Sequence, residues 1–397
     1  MSTHSNPSNR EQSLRSRRGF LKLIGGGVIL AAGAGSLFVM TRSPTKALKP
    51  WKLALGPAPE IDPRKIILSH AILAPNPHNR QPWLVDLVGR DEIVLYCDLE
   101  RRLPHTDPYD RQITIGLGCF LELIDLTARE MGMRANIDIF PQGESFPRLN
   151  NKPVARIQLT ETGHAKDPLF VQLFDRRSNK EPFNTDKPVS ADNASAILTA
   201  ARGRVSVDHV LKMDQVKRLR ALTWAAMDIE MRTYRTAKES IDLMRIGKAE
   251  IEANPDGIDL GGAFMELLAA TGQLTREGML AFDSSMFEQS QAVIRPPIDT
   301  AMGYVYVKTQ GNSRVEQIGA GRTYVRLNLK ATELGVSMHP LSQALQEFEE
   351  VSEQHKDIKR ELGITDSETL QMFARIGYGE KPNPSPRWTY ETRIRNN

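Results

Sequence analysis

The sequence has 397 residues, a net charge of +4, 40% hydrophobic residues and 25% charged residues. That length exceeds one typical domain, so we expect two lobes or one large unit with an ample core. Basic residues are dispersed among nearly as many acids, which argues against a nucleic-acid-binding stripe. The two cysteines, Cys97 and Cys119, lack the spacing of metal ligands or of a disulfide framework, and their apolar surroundings predict buried thiols.

The N-terminal segment is predicted to be an address and not a part of the fold. Residues 16–22 read SRRGFLK, and an apolar, Gly- and Ala-rich run at 23–40 follows. The segment resembles a twin-arginine export signal, whose receptor is the twin-arginine translocase. The run of about 18 residues is just long enough to cross a bilayer, so retention as an N-terminal anchor stays open. With residues 1–42 as signal or anchor, we expect an exported protein that is periplasmic or membrane-anchored facing the periplasm.

The next part of the chain predicts a linker and then an α+β unit. Residues 43–60 contain four prolines, which is typical of a linker. Asp62 and Pro63 predict a helix start, with the aspartate as N-cap and the proline in the first turn. The strands and the long helix that follow are predicted at Trp83–Leu87, Glu92–Cys97, Arg111–Met131, Asn136–Phe140 and Val154–Thr160. This order of elements indicates an α+β sandwich and not a doubly wound sheet.

A second unit repeats part of the first, so we expect a first half at 61–170 and a second half at 171–395. The long helix predicted at Arg314–Leu334 ends at a glycine, as does the long helix of the first half. A Gly-, Pro- and Met-rich segment at 238–300 predicts either a lid over a ligand or an ordinary helical wall. The other predicted elements are helices near 190–202, 213–237 and 342–349 and a strand at Gly303–Thr309. The segments Val336–Pro340 and Leu370–Gly377 and a Pro-rich tail complete the chain, without an assigned type.

The most informative motif is APNPHNRQPW at residues 74–83. Its prolines stiffen the loop, and the amides of Asn79 and Gln81 each offer one acceptor and two donors. Such a loop suits a flat heterocycle, although a polar turn before a strand has the same composition. The motif resembles the A-P-S-x-x-N-x-Q-P-W loop of the nitroreductase flavoprotein superfamily, with Asn76 in place of the usual serine. The resemblance implies that the isoalloxazine ring of FMN lies against Pro75, Asn76, Pro77, Asn79 and Gln81.

A basic motif opens the second half of the chain. Three cations and a hydroxyl lie within five residues: Arg176, Arg177, Ser178 and Lys180. Such donors match phosphate oxygens, and a solvated charge cluster at a domain junction has the same composition. The segment resembles the R-R-S-x-R signature that nitroreductases use for the FMN phosphate, with Lys180 in place of the last arginine. In the superfamily a cation of the C-terminal tail also reaches the phosphate, which implies Arg387.

The two motifs lie in different halves of the chain. In homodimeric nitroreductases one subunit supplies the basic signature and its partner supplies the N-x-Q-P-W loop. Here the first half has only the loop and the second half has only the basic segment. The resemblance therefore implies a nitroreductase-like α+β sandwich of two tandem halves, an internal pseudo-dimer with one FMN, as in the Acg-like branch of the superfamily.

No other catalytic set competes with a flavin in this sequence. There is no G-x-G-x-x-G after a strand, no H-E-x-x-H and no G-x-S-x-G. We expect the flavin to carry the chemistry of an oxidoreductase that accepts hydride from a reduced nicotinamide or electrons from a redox chain. The alternative is an FMN-binding protein that stores or shields flavin with little turnover. In either case His78 serves as a bystander or as a proton donor.

Overall fold

A computed structural model describes residues 42–56, 62–161, 163 and 165–395. The predicted export signal lies, except for its last residue, outside these ranges. The chain from Pro44 onward forms one compact unit. Within the described ranges, no helix combines the length and the apolar character that a membrane span requires.

The unit is a mixed α+β fold, as predicted. The elements of its first half are α1 (Lys49–Leu55), α2 (Pro63–Ala71), β1 (Trp83–Val88), β2 (Glu92–Cys97), α3 (Arg111–Glu130), β3 (Met133–Ile139) and β4 (Ala155–Glu161). Those of the second half are α4 (Ala191–Leu198), β5 (Ser206–Val210), α5 (Met213–Arg232), α6 (Tyr234–Asp242), β6 (Met244–Ile246), α7 (Gly247–Ala253), β7 (Ile258–Leu260), α8 (Ala263–Ala270), α9 (Arg276–Leu280), α10 (Ser285–Asp299), β8 (Gly303–Thr309), α11 (Arg314–Glu333), β9 (Ser337–Pro340), α12 (Ser352–Glu361) and β10 (Thr369–Gly377).

The two main sheets are built in the same way. The strand order is β1-β2-β4-β3 in the first half and β5-β8-β10-β9 in the second, and every neighbouring pair is antiparallel. In each half a long helix, α3 or α11, connects the second strand to the third. The predicted tandem organisation is therefore confirmed, and the similar helix ends at Gly132 and Gly335 belong to a repeated topology.

The second half carries a large insert between its first two strands. Residues 211–302 join β5 to β8, whereas residues 89–91 suffice to join β1 to β2. The insert is therefore longer than the predicted 238–300, and it includes α5. The difference arises because β5 is missing from the sequence prediction: this five-residue strand, SVDHV, buries only its last side chain fully, so periodicity gives little signal.

Two local predictions are wrong. The segment 43–60 is more than a linker, because it contains α1, whose Trp51 and Ala54 join the core. The prolines of this segment suggested a linker. Pro50 is compatible with a helix, however, because it lies in the first helical turn, where the missing N–H costs no hydrogen bond. The helix predicted near 342–349 is instead two short 3₁₀ turns, Gln343–Leu345 and Glu349–Val351, which precede α12.

The two long helices pack against each other at a pair of glycines. A Cβ atom on Gly118 of α3 would collide with the carbonyl oxygen of Ile318, and one on Gly321 of α11 would collide with that of Ile115. Without side chains there, the helix backbones approach closely across the junction of the halves.

The expected burial of the thiols is also confirmed, because Cys97 and Cys119 both lie in the main hydrophobic core.

A buried carboxylate also joins the halves. Glu122 of α3 is fully buried and accepts hydrogen bonds from Arg202, Arg322 and Arg326 of the second half, at 3.2, 2.7 and 3.0 Å. A buried charge is tolerated only when it is paired and hydrogen-bonded. The network therefore ties the long helix of the first half to the second half.

Candidate functional site

The loop between α2 and β1 adopts a backbone that few residues tolerate. His78, Asn79 and Gln81 have φ values of 49°, 52° and 52°, in the left-handed region that L-residues rarely occupy. The Asn76 Oδ1 atom accepts a hydrogen bond from the Gln81 backbone N–H at 2.7 Å and holds the turn. The loop packs on Gly116 of α3, where an added Cβ would lie 3.1 Å from that of Asn76. Such overdetermined strain is typical of functional loops.

Asn79 contacts the C-terminal tail. Its Nδ2 donates to the Pro386 carbonyl oxygen at 3.0 Å, and its Oδ1 accepts from Arg387 Nη1 at 2.6 Å. The structure thus brings together one residue from each half that the sequence assigns to the site. The Asn79 amide is already engaged in this arrangement, and only part of its surface is exposed.

Gln81 lies behind the loop and not on its surface. The side chain has no exposed area, its Nε2 donates to the Pro255 carbonyl oxygen at 2.7 Å, and its Oε1 accepts from the Trp388 backbone N–H at 2.9 Å. The predicted contact between Gln81 and a bound ring is therefore not available in this structure. The Gln81 amide group instead joins the loop to the insert and to the tail, and the Asn79 amide group also joins the loop to the tail. Pro75 is likewise buried, whereas Pro77 is partly exposed.

Two predicted arginines converge on the carbonyl groups at the start of the loop. Arg176 Nη2 donates to the Leu73 oxygen at 3.2 Å, and Arg387 Nε donates to the Ile72 oxygen at 2.9 Å. Both arginines are buried. Arg177 is half-buried and donates to backbone carbonyls of its own segment. The basic segment, the tail and the loop therefore meet at one place.

These three guanidinium groups form a positive cluster, in which the charge of Asp175 acts on Arg177. Among the described residues, no carboxylate forms an ion pair with Arg176, Arg177 or Arg387. Burial and the neighbouring guanidinium groups lower the pKa of Arg387 to about 9 and that of Arg177 to about 10. A buried positive cluster of this kind is costly unless an anion neutralises it. We name Arg176, Arg177 and Arg387 the arginine cluster.

An unsatisfied hydroxyl lies beside the arginine cluster. The Tyr324 side chain is buried, and its hydroxyl has no hydrogen-bond partner among the described residues. Burial raises its pKa, whereas Arg176 and the half-buried Ser178 lower it, so these groups are neighbours. An acceptor oxygen of a ligand would satisfy the Tyr324 hydroxyl.

Lys180 is an exposed residue of the basic segment that lies near the loop and the insert. Its side chain is exposed, yet the surrounding protein lowers its pKa, and Asp259 of the insert opposes this shift. Burial and then Lys180 lower the pKa of His78 to about 4, and burial, Arg375 and Lys180 hold the pKa of His339 well below its usual range. Titratable groups of the loop, of β9 and of the insert thus lie near enough to Lys180 for their charges to interact. Both histidines are neutral at physiological pH.

The insert is attached directly to the loop. Asp256 accepts hydrogen bonds from Arg101 and from Arg245 and lies 3.7 Å from Arg80 Nη1. Although burial opposes it, the charge of these arginines lowers the pKa of the carboxyl group. The next residue, Gly257, donates its N–H to the backbone carbonyl oxygen of Asn79 at 3.3 Å. The predicted lid segment therefore covers the back of the loop, and its closure over a ligand stays a prediction.

Several residues at this site were not assigned a role from the sequence. Trp51, Asp256, Tyr324 and Trp388 come from four separate segments, and each reaches the site only through the fold. Trp51 had one visible signal, an aromatic residue in a segment predicted to be a linker.

A buried acid connects to the loop and predicts a pH effect. His78 Nε2 lies 3.0 Å from the Ser240 hydroxyl, and Ser240 also bonds to Glu230, whose pKa burial raises to about 7. The unfolded chain ionises this group near pH 4.5, so stability should fall as the pH rises from about 4.5 to about 7. Glu230→Gln keeps an acceptor for Gln346 but cannot ionise. We expect this variant to exceed the wild type in stability at pH 8 by on the order of 3 kcal/mol, with little difference at pH 4.

Denaturant unfolding at both pH values measures this difference. Glu353→Gln, at an exposed glutamate, is the matched control and should follow the wild type at both. A parallel loss of stability in the wild type and in Glu230→Gln would show that Glu230 does not titrate in this way.

Together, the fold and the site define an α+β protein of two tandem halves, with the arginine cluster meeting the loop at their junction. No family model matches the chain. Two proteins from strains of Mycobacterium tuberculosis, both provisionally named NAD(P)H nitroreductase, are 21% identical over 320 residues, which cover 81% of this chain and 86% of theirs. The chain is thus similar to nitroreductases in sequence over most of its length.

Solved structures of nitroreductases match about half of this chain. A nitroreductase with bound FMN from Bacteroides fragilis matches 56% of this chain and 95% of its own, at 12% identity and a TM-score of 0.33. An FMN-dependent nitroreductase from Mycobacterium smegmatis in complex with NADPH matches 52% of this chain and 90% of its own, at 17% identity and a TM-score of 0.32.

Proposed function

We propose that this chain is an FMN-dependent, nitroreductase-like oxidoreductase of the Acg-like fused type, with one FMN per chain between its halves. The observation that carries the proposal is the arginine cluster, which contains residues from both ends of the second half and meets the loop of the first half. The similarity to proteins named as NAD(P)H nitroreductases supports it.

The residues at the junction fit the chemistry of FMN. The arginine cluster and Ser178 would hold the phosphate, because guanidinium groups bind phosphate oxygens through paired, charge-assisted hydrogen bonds. Lys180 and the loop residues Pro77 and Asn79 would contact the ring and its side chain. When bound, the flavin supplies hydride transfer, and the protein supplies binding, orientation and electrostatics.

The side chains around Lys180 would set the electrostatics of the ring. A cation at this position stabilises negative charge that develops nearby. His78 is neutral, and its Nε2 forms a hydrogen bond with the Ser240 hydroxyl. The insert, held by Asp256 and Gln81, would exclude water from one side of the loop.

A second function is favoured by the attachment of the insert. The hydrogen bonds from Gln81 to Pro255 and from Gly257 to Asn79 hold the insert against the loop. If the insert also covers the flavin, a nicotinamide would not reach it, and the protein would store or shield FMN with little turnover.

Reconstitution and reduction test both functions. The purified protein should bind about one FMN per chain, measured from its visible spectrum and protein concentration. NADH or NADPH added without oxygen should bleach the flavin if the chain is an oxidoreductase that uses nicotinamide. A stable flavin that only dithionite reduces would favour storage or a redox-chain donor, and a chain that binds no FMN would contradict the proposal.

Export by the twin-arginine route also belongs to the proposal, and the motif at residues 16–22 supports it. This route carries folded proteins, which suits a chain that must bind its cofactor before export. We expect the double substitution Arg17→Lys and Arg18→Lys to leave the protein in the cytoplasm, since the receptor reads the arginine pair. Fractionation with immunoblotting measures this, and unchanged export would contradict the assignment. A retained segment at 23–40 would anchor the protein to the membrane.

A further inference from the structure

The first helix of the folded unit holds the C-terminal tail in place. The Ala47 carbonyl oxygen accepts the Arg387 backbone N–H at 3.0 Å, and Trp51 Nε1 donates to the Ser385 carbonyl oxygen at 2.8 Å. Two hydrogen bonds, one on each side of Pro386, thus attach the tail to the segment before and within α1. Without this attachment the tail would have more freedom, and Arg387 would be held only through its side chain.

The Trp51 ring also lies against two members of the arginine cluster. The Arg177 Cζ atom is 4.8 Å from the ring centroid, and the Arg387 Cζ atom is 5.7 Å from it. Indole is the strongest of the aromatic partners for a cation, and both distances fall within the range of a cation–π contact. The ring itself is buried, with 6% of its surface exposed. One side chain therefore positions two guanidinium groups that would otherwise repel each other.

This contact links three parts of the chain that are distant in sequence. Arg177 opens the second half, Arg387 lies in the tail, and Trp51 precedes the first half. Because α1 packs on α2, whose end leads into the carbonyl groups that Arg176 and Arg387 bind, Trp51 has a fixed place in the same assembly.

From this geometry we infer that Trp51 is a positioning residue of the phosphate site. It holds Arg177 and Arg387 against the two sides of one contact, so that both remain in the arginine cluster, and α1 is a part of the cofactor site and not a spacer behind the export signal. The inference rests on the proposed FMN function and adds a residue that neither motif contains. It also sets a limit on processing, since a mature chain must retain Ala47 and Trp51 to keep the site.

The test compares FMN with riboflavin, which lacks the phosphate. Trp51→Leu keeps apolar packing but removes the π face, and Trp51→Phe restores a weaker one. Both variants lose the hydrogen bond to Ser385. The difference in FMN affinity between them therefore measures the effect of the aromatic ring. We expect Trp51→Leu to weaken FMN binding by about tenfold or more, riboflavin binding by less than about threefold, and Trp51→Phe to recover part of the loss. Quenching of flavin fluorescence in the apoprotein measures each dissociation constant.

Leu53→Ala, at a 36% exposed residue of α1, is the matched control and should bind both flavins as the wild type does. Unchanged FMN binding in Trp51→Leu, or an equal loss for both flavins, would overturn the inference. If Trp51→Leu does not fold, the losses of FMN and riboflavin affinity are compared in Trp51→Phe instead, and the same outcomes decide. A wild type that binds neither flavin would instead refute the proposed function.

The N-terminus of the mature protein gives an independent readout. Protein isolated from cells should begin before Ala47, which N-terminal sequencing determines. A mature chain that begins after Trp51 and still holds FMN as tightly as the full chain would overturn the inference.

Discussion

Gly321→Ala is expected to destabilise the protein by on the order of 3 kcal/mol or more, although alanine is the better helix former. The new methyl group would enter the space of the Ile115 carbonyl oxygen and lie 3.0 Å from the Cys119 backbone nitrogen. Both neighbours are backbone atoms of α3, so the clash is relieved only if the two long helices separate. Overpacking of a close contact typically costs about 1–3 kcal/mol, and a rigid neighbour places the cost at the upper end.

Gly319→Ala is the matched control on the same helix. An added Cβ at this position meets only the Val205 side chain, at an ordinary distance of 3.7 Å. We expect this variant to be neutral or to gain up to about 1 kcal/mol, because alanine has the higher helix propensity. Denaturant unfolding of both variants measures the difference. Equal stability of the two would show that the helices do not meet at Gly321.

Arg387→Ala is expected to weaken FMN binding by more than tenfold. A hydrogen bond from a charged donor contributes about 1.5–3 kcal/mol, and each 1.4 kcal/mol changes affinity about tenfold. The substitution removes one charge of the arginine cluster and the donor for Asn79 Oδ1. Riboflavin should lose less affinity than FMN, because it lacks the phosphate that the arginine cluster is proposed to bind. Titration of the apoprotein with both flavins measures the two losses.

Arg395→Ala removes the same charge from the same tail, at a residue that is 41% exposed and pairs with Asp86. This control should bind both flavins as the wild type does. Equal losses of FMN and riboflavin in Arg387→Ala would mean that Arg387 supports the loop and does not contact a phosphate.

Much of the secondary structure could be predicted from local patterns. The bounds of β2 and β8 agree with the prediction residue for residue, and those of α3 and α11 agree to within one residue at the C-terminal end. These elements are long or strongly apolar, so their periodicity is clear. The short edge strand β5 and the helix α1 were missed, since each depends on packing against partners distant in sequence.

The candidate site, too, could be predicted only in part. Residue types are visible in the sequence, so the loop at 74–83 and the basic segment at 176–180 could be identified as complementary motifs. What each side chain contacts could not be predicted, because Asn79 bonds to Arg387 from 308 positions away. Gln81 has the predicted identity but is buried behind the loop.

The sequence by itself determined the tandem α+β organisation, the order of most elements and the two complementary motifs, because periodicity and motif spacing are local properties. Only the tertiary structure decided that no carboxylate among the described residues forms an ion pair with the arginine cluster, that the insert is attached to the loop, and that Trp51 lies against Arg177 and Arg387. The physical reason is that burial and electrostatics depend on which distant segments meet. The packing of α3 on α11, and of the tail on α1, brings those segments together.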